Sequence, residues 1–445
     1  MLVIIHGWSD DYRSFKKLGH LLVEHGVSRD VRHVQLGNYI SLDDEVRLGD
    51  IVAALQTAWK EEHLPIEPRS VDVVVHSTGG LIIRHWISTM PSETIPIRRL
   101  LMLAPANFGS PLAHTGRSVF GRVVKGWGGR KLFQTGSYIL KGLELASPYS
   151  WDLAFKERFG SEEYYGPGKI LCTVLVGNSG YSGISALANK PGSDGTVRVS
   201  TANMECAYLE ADFSQDPLHP SHALAYGKGR VAFGVMDHEN HSTIAAKDGG
   251  PKKEATLRAI IEALRIDDDT FEAWQKRLSD QTEETMRKRE GSGLHYHGFQ
   301  NTVFRVSDDL GDAVKDYVIE FYVDEPSQTQ RNNRVTQKIQ EEVIANVHPY
   351  SDDSSFVSML IDCTALNRIL DRPDEKLKIS LTAHPDFAGE GDVGYLTYGD
   401  DDIGSIELSQ AQVRELFQPN RTLLVHIVLK RMQSRKVFEL KPLTS

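Results

Sequence analysis

A serine hydroxyl becomes a useful nucleophile only when a histidine accepts its proton and an acid orients that histidine. Ser77 has the setting for this role, in Val75-His76-Ser77-Thr78-Gly79-Gly80, between a β-branched run and a helix-like stretch. Small residues around a serine let a strand-to-helix turn close tightly and lift its Oγ above the carboxyl edge of a sheet. The N–H of the next residue, Thr78, then opens the helix and faces the place where negative charge grows on a carbonyl oxygen under attack. The common G-x-S-x-G pattern has Val75 at its first glycine here, so the strand–turn–helix context carries the reading. His6-Gly7-Trp8 ends the first apolar run, where such a sheet supplies a second donor, the Trp8 N–H.

Acid and base follow in the chain. Residues 170–176 form a buried-strand run, and the loop after it reaches Ser193-Asp194-Gly195-Thr196. Residues 231–235 form another, leading into Asp237-His238-Glu239-Asn240-His241-Ser242. Asp194 is the preferred acid, because the adjacent glycine allows a loop at a strand's carboxyl end; Asp212, Asp216 and Asp237 compete with it. His241 is the preferred base, lying deeper in its loop than the competitor His238. The order Ser77, Asp194, His241 is that of an α/β-hydrolase. A zinc reading of His238-Glu239-Asn240-His241 is poor, since the metalloprotease helix spaces its histidines one residue further apart. His295-Tyr296-His297 reads as a solvated pair, and Asp352-Asp353 and Asp400-Asp401-Asp402 as turn aspartates without calcium-loop spacing.

The elements that must position these groups are visible as hydrophobic patterning. Runs at 2–5, 31–36, 71–75, 99–103, 170–176 and 231–235 alternate with helical stretches at 13–25, 49–63, 80–86 and 252–265. That alternation predicts βαβ units and a mainly parallel sheet covered on both faces. The residues between 103 and 170 exceed what a crossover needs and read as an insertion, in which 138–153 is a packed helix carrying Ile139, Leu140, Leu143 and Leu145. A charged helix over 269–289 presents Phe271, Trp274 and Leu278 on one face and ends at Gly291-Ser292-Gly293. Beyond it, strands at 303–306, 317–323, 356–362, 377–382, 393–398, 422–429 and 437–440 predict a β-sandwich-like domain, with one helix at 409–416. The expected organisation is a catalytic domain over 1–268, a helical linker over 269–293 and a β-rich domain over 294–445.

Composition bounds these expectations. A chain of 445 residues suggests two to four domains, and 40% hydrophobic with 25% charged residues excludes wholesale disorder. A net charge of −10 argues against a general nucleic-acid binder, which needs a basic footprint. No apolar stretch is long enough to span a bilayer as a helix, and no cleavable signal precedes the first strand, so the expected setting is cytoplasmic, or exported without such a signal. Cys172, Cys206 and Cys363 are too scattered for a disulfide framework or a zinc knuckle and read as small buried hydrophobes. The acidic average hides a local exception: residues 114–131 carry Arg117, Arg122, Lys125, Arg130 and Lys131 without an acid, interleaved with Val119, Phe120, Val123, Val124 and Trp127. Such a stretch suits peripheral contact with an anionic bilayer through Arg117, Arg122, Lys125 and Trp127; an amphipathic cover over the active site reads the same way.

The set His6-Gly7-Trp8, Val75-His76-Ser77-Thr78-Gly79-Gly80, Ala104-Pro105-Ala106-Asn107-Phe108-Gly109-Ser110-Pro111, Ser193-Asp194-Gly195-Thr196 and Asn240-His241-Ser242 resembles bacterial α/β-hydrolase lipases and phospholipases. The resemblance spans most of residues 1–265. It implies an α/β-hydrolase core with residues 105–168 capping the site; the first strand at 2–5 leaves no room for the family's outer strands, so the expected sheet is the reduced kind. It implies hydrolysis of lipid or acyl esters through an acyl-enzyme, without a cofactor. Ser77 would be the nucleophile, His241 the base, Asp194 its orienting partner, and the Trp8 and Thr78 amides the oxyanion hole. The same triad serves thioesterases and acyltransferases. A third reading, from another class, is a non-catalytic hydrolase-fold scaffold that binds a protein partner through its C-terminal domain.

Overall fold

The computed structural model describes residues 1–5, 15–41, 44–115, 136–182, 186, 189–247, 249–288, 296–323, 330–372, 375–384 and 404–431. They form two compact units. The first holds Met1–Cys206, Tyr226–Phe299 and Asn420–Thr422; the second holds Ala207–Ala225, Gln300–Pro419 and the chain from Leu423 on.

Among the described residues of the first 236 there are eight strands: β1 (Leu2–Ile5), β2 (Val31–Val34), β3 (Val71–His76), β4 (Ile97–Leu103), β5 (Leu171–Gly177), β6 (Cys206–Asp212), β7 (Ser221–Tyr226) and β8 (Val231–Met236). Six of them build one sheet in the order β2-β1-β3-β4-β5-β8, and every pairing in it is parallel. All four residues of β1, and Val71, Val73, Val74 and Val75 of β3, are buried, as continuous apolar runs covered on both faces must be. The first unit therefore has the parallel, doubly covered sheet expected from the alternation of strands and helices, and the α/β-hydrolase core that the resemblance implies.

Its first helices are α1 (Lys16–Glu24), α2 (Leu48–Glu61) and α3 (Gly79–Ile87). Trp59 of α2 packs on Trp86 of α3 with ring centroids 4.7 Å apart. The stretch 138–153, expected as one helix, is two: α4 (Ser137–Leu143) and α5 (Pro148–Ala154). The break is local chemistry. Ala146 turns left-handed at φ 59°, Ser147 Oγ accepts the Tyr149 amide at 3.2 Å as an N-cap, and Pro148 occupies the first turn, where its missing N–H costs nothing. A π-turn (Phe155–Phe159) continues α5. The basic stretch with Arg117, Arg122, Lys125 and Trp127 lies outside the described residues.

A short helix α6 (Val199–Ala202) precedes β6, and α7 (Glu254–Ala263) and α8 (Phe271–Met286) follow β8. Helix α8 buries Phe271, Trp274 and Leu278, the apolar face expected of it. It also closes the sheet. The Val235 amide donates to Thr282 Oγ1 at 3.0 Å, Gln275 Nε2 donates to the Val231 carbonyl at 3.1 Å, and Trp274 Nε1 donates to Thr173 Oγ1 at 3.0 Å. Side chains of α8 thus satisfy edge groups of β8 that another strand would otherwise claim. Among the described residues no helix is long and apolar enough to cross a membrane.

The second unit is β-rich. It contains β9 (Phe299–Asp308), β10 (Asp316–Val323), β11 (Ile344–Pro349), β12 (Phe356–Asp362), β13 (Leu377–His384), β14 (Ile406–Leu408) and β15 (Thr422–Leu429). One sheet runs β11-β12-β9-β15-β6-β7 and a second runs β10-β13-β14. The sequence reading placed β6 and β7 nowhere, yet Leu209, Ala211 and Phe213 belong to this unit's apolar cluster with Phe304, Ile361 and Val425. Two helices were also missed, α9 (Gln330–Lys338) and α10 (Cys363–Ile369); α11 (Gln410–Leu416) begins at Ser409, whose Oγ accepts the Gln412 amide. The expected strands at 393–398 and 437–440 lie outside the described residues. All three cysteines are buried. Burial raises the Cys206 thiol to about 11, which keeps it protonated like an ordinary small apolar side chain.

Candidate active site

Strand β3 ends at His76, and α3 begins at Gly79. Between them Ser77 sits at φ 56°, in the left-handed region that a residue with a Cβ enters only under constraint. The surroundings supply that constraint. The Ser77 amide donates to the Leu103 carbonyl at 3.1 Å, and the Ser77 carbonyl accepts from the Gly80 and Ala106 amides at 3.0 and 3.2 Å. Gly80 allows the turn to lie against the next strand's exit: a Cβ there would stand 2.6 Å from Pro105 Cβ. Thr78 is the residue preceding α3, so its amide belongs to the positive end of that helix. Trp8 lies outside the described residues.

Asp194 follows β5. Its Oδ1 accepts the Thr196 and Val197 amides at 2.9 Å each, which leaves Oδ2 facing His241 Nδ1 at 3.0 Å. The Asp194 carbonyl also accepts the His241 amide at 3.0 Å. His241 follows β8, in a loop folded by Asn240, whose Oδ1 accepts the Ser242 and Thr243 amides at 3.0 and 2.9 Å. Gly177, the last residue of β5, makes room for this loop, because a Cβ there would lie 2.1 Å from the Glu239 carbonyl oxygen.

His241 Nε2 stands 3.0 Å from Ser77 Oγ. A carboxylate only accepts, so the neutral imidazole carries its proton on Nδ1 toward Asp194 and turns the Nε2 lone pair to the Ser77 hydroxyl. His241 and Asp194 have no exposed surface, and Ser77 is 4% exposed. Ser77, His241 and Asp194, scattered over the chain, are thus in one hydrogen-bonded line.

The competing groups stand elsewhere. His238 is half exposed, with Nε2 3.6 Å from Asp237 Oδ2, and Asp237 accepts from Asn178 Nδ2 at 3.0 Å and Lys288 Nζ at 2.5 Å. Asp212 and Asp216 lie in the second unit, where each accepts amides of its own turn. Glu239 is buried and holds the Lys252 and Lys253 amides at 2.7 and 3.0 Å through Oε1, so it braces the loop that carries His241. Sequence reasoning gave Glu239 no such role; its place beside a candidate base was the available signal.

No protein-family model matches the chain, and no curated protein sequence matches it. Solved structures do. Phospholipase PlaB from Legionella pneumophila superposes with a TM-score of 0.81 at 23% identity, over 100% of this chain and 96% of that one. The same phospholipase in complex with thio-NAD superposes with a TM-score of 0.80 at 23% identity, over 99% and 96%. At this identity the likeness is one of fold, and it extends over both units.

Proposed function

We propose that the chain is a serine hydrolase that cleaves carboxylic ester bonds of lipids, with Ser77 as nucleophile, His241 as general base and Asp194 as the acid that orients it. The observation that carries the reading is the buried line from Ser77 Oγ to His241 Nε2 to Asp194 Oδ2, with 3.0 Å at each link, on a left-handed strand-to-helix turn. Ser77 Oγ attacks the acyl carbonyl as its proton passes to His241 Nε2, and Asp194 stabilises the imidazolium that forms. The oxyanion of the tetrahedral intermediate takes the Thr78 amide and, on the sequence reading, the Trp8 amide. Collapse breaks the ester C–O bond, and the leaving alkoxide takes the proton from His241. Water then repeats the sequence against the acyl-serine, releasing a carboxylic acid and the free enzyme.

Phospholipase PlaB, whose fold this chain shares end to end, supports a phospholipid as the substrate. Residues 105–168 are proposed to cover the site. Arg117, Arg122, Lys125 and Trp127 are proposed to meet an anionic membrane surface, at about 1 kcal/mol per basic residue. Reversal of those three basic charges should then release the protein from anionic vesicles in a flotation assay and leave zwitterionic vesicles unaffected.

Turnover of a phosphatidylcholine and of a short-chain nitrophenyl ester tests the assignment. Ser77→Ala should lower kcat by about 10⁴-fold or more, and Asp194→Asn by about 10³–10⁴-fold. A Ser77→Ala variant with wild-type turnover of both esters removes the reading.

A further inference from the structure

His76 takes no part in the proton transfers above, yet its side chain reaches the base. Its Nε2 lies 2.9 Å from the His241 carbonyl oxygen, and its ring packs on the His241 ring with centroids 4.6 Å apart at 47°. A carbonyl oxygen only accepts, so His76 Nε2 carries the proton and donates. The ring also meets Phe15 edge-on at 5.6 Å, and Lys247 Nζ stands 4.3 Å from the Phe15 ring centre. His76 is 1% exposed. Burial, then the Lys247 charge, then His241 hold its pKa well below the usual histidine value, which keeps the ring neutral when His241 becomes cationic.

We propose that His76 is a positioning residue that registers the base against the nucleophile. This rests on the reading of Ser77 and His241 as catalytic residues. His76 is peptide-bonded to Ser77 and hydrogen-bonded to the main chain of His241. A closed loop therefore runs Ser77 Oγ, His241 Nε2, His241 carbonyl, His76 Nε2 and back through one peptide link. The Asp194 carbonyl holds the His241 amide at 3.0 Å, so the peptide groups on both sides of His241 are held. Each hydrogen bond fixes a direction that the other leaves free. The packed imidazole face then limits rotation of the His241 ring about its Cβ. A small misplacement of a base costs as much as 10²-fold in rate, which sets the scale of the expected effect.

The test uses the full chain with a fluorophosphonate probe, read as the first-order labelling rate constant and the labelling amplitude. The amplitude counts folded sites and the rate constant reads geometry, so partial unfolding of a variant does not obscure the result. His76→Phe keeps a ring and loses the donor; it should lower the rate constant about 10- to 100-fold. In ester turnover it should lower kcat similarly with KM within about twofold. His76→Gln restores an N–H at a similar reach and should recover the rate constant to within a few-fold of wild type, and His76→Leu should behave as His76→Phe. A wild-type rate constant in His76→Phe and His76→Leu overturns the proposal, as does a loss confined to amplitude or an equal loss in His76→Gln. Labelling that persists in Ser77→Ala overturns the nucleophile assignment itself, which distinguishes that failure from failure of the positioning role alone.

Discussion

Arg84 and Glu157 form an ion pair from which solvent is excluded: Arg84 Nε lies 2.6 Å from Glu157 Oε1, and neither side chain is exposed. Arg84 belongs to α3, the helix that starts after Ser77, and Glu157 to the π-turn after α5. Both have further partners. Arg84 Nη1 donates to the Asn107 carbonyl at 2.6 Å, and Tyr165 Oη donates to Glu157 Oε2 at 3.1 Å. Burial lowers the pKa of the Arg84 guanidinium, but the charge and hydrogen bond of Glu157 more than offset this and leave it raised. The pair ties the helix behind Ser77, the proposed nucleophile, to the inserted segment.

A buried pair is costly to break and cheap to replace whole. Arg84→Met or Glu157→Leu alone should destabilise the protein by about 3–5 kcal/mol in urea unfolding, because each leaves a buried partner uncompensated. The double variant Arg84→Met with Glu157→Leu should recover most of that loss. A double variant as unstable as the sum of the single ones would contradict this account of the pair.

The turn at Ser77 stores strain. A residue with a Cβ in the left-handed region costs roughly 1–2 kcal/mol, and glycine does not bear that cost. Two variants that both lack the hydroxyl therefore isolate the effect. Ser77→Gly should unfold at higher denaturant than Ser77→Ala, by about 1 kcal/mol, and equal midpoints would show that the φ of 56° is unstrained.

The buried His76, beside the proposed triad, predicts a pH dependence of stability. The folded pKa of His76 lies well below the ordinary value of 6.5, with burial as the first cause, so below about pH 6.5 the unfolded chain binds more protons than the folded one. Its contribution is complete above that value and declines as pH falls toward the folded pKa, by up to about 1.4 kcal/mol per pH unit. His33, His85 and His426 are lowered in the same direction, each first by burial, so the total slope has several sources. The difference between wild type and His76→Phe isolates one of them. The variant should lose less stability than wild type between pH 6.5 and pH 5, and parallel curves would refute the assignment.

What could be read from the sequence was what is local along the chain. The left-handed serine turn is announced by a β-branched run, a serine and two glycines in a row, because strand, turn and helix N-terminus are contiguous. The order of Asp194 and His241 along the chain was also legible. Their preference over Asp237 and His238 depends on where loops from separate strands meet, which no spacing encodes. Arg84 and Glu157 stand 73 residues apart, with nothing near either to signal a partner. β6 and β7 escaped for another reason. All six residues of β7 are exposed, Leu224 and Tyr226 among them, so no buried apolar run marks it, and the hairpin lies between two strands of the first sheet while the apolar residues of β6 serve the second unit. The helix break at Ser147-Pro148 was written in the residues, since a serine N-cap before a proline is a strong start signal, and it was outweighed by apolar spacing across it.

The proposed mechanism requires that Ser77 become acylated during turnover. Mass analysis of the full chain, quenched during hydrolysis of a short-chain phosphatidylcholine, measures this directly. A mass increase of one acyl group is expected, mapping to the peptide containing Ser77 and absent from Ser77→Ala. Phospholipid turnover without an adduct on that peptide, or equal turnover by Ser77→Ala, would contradict it.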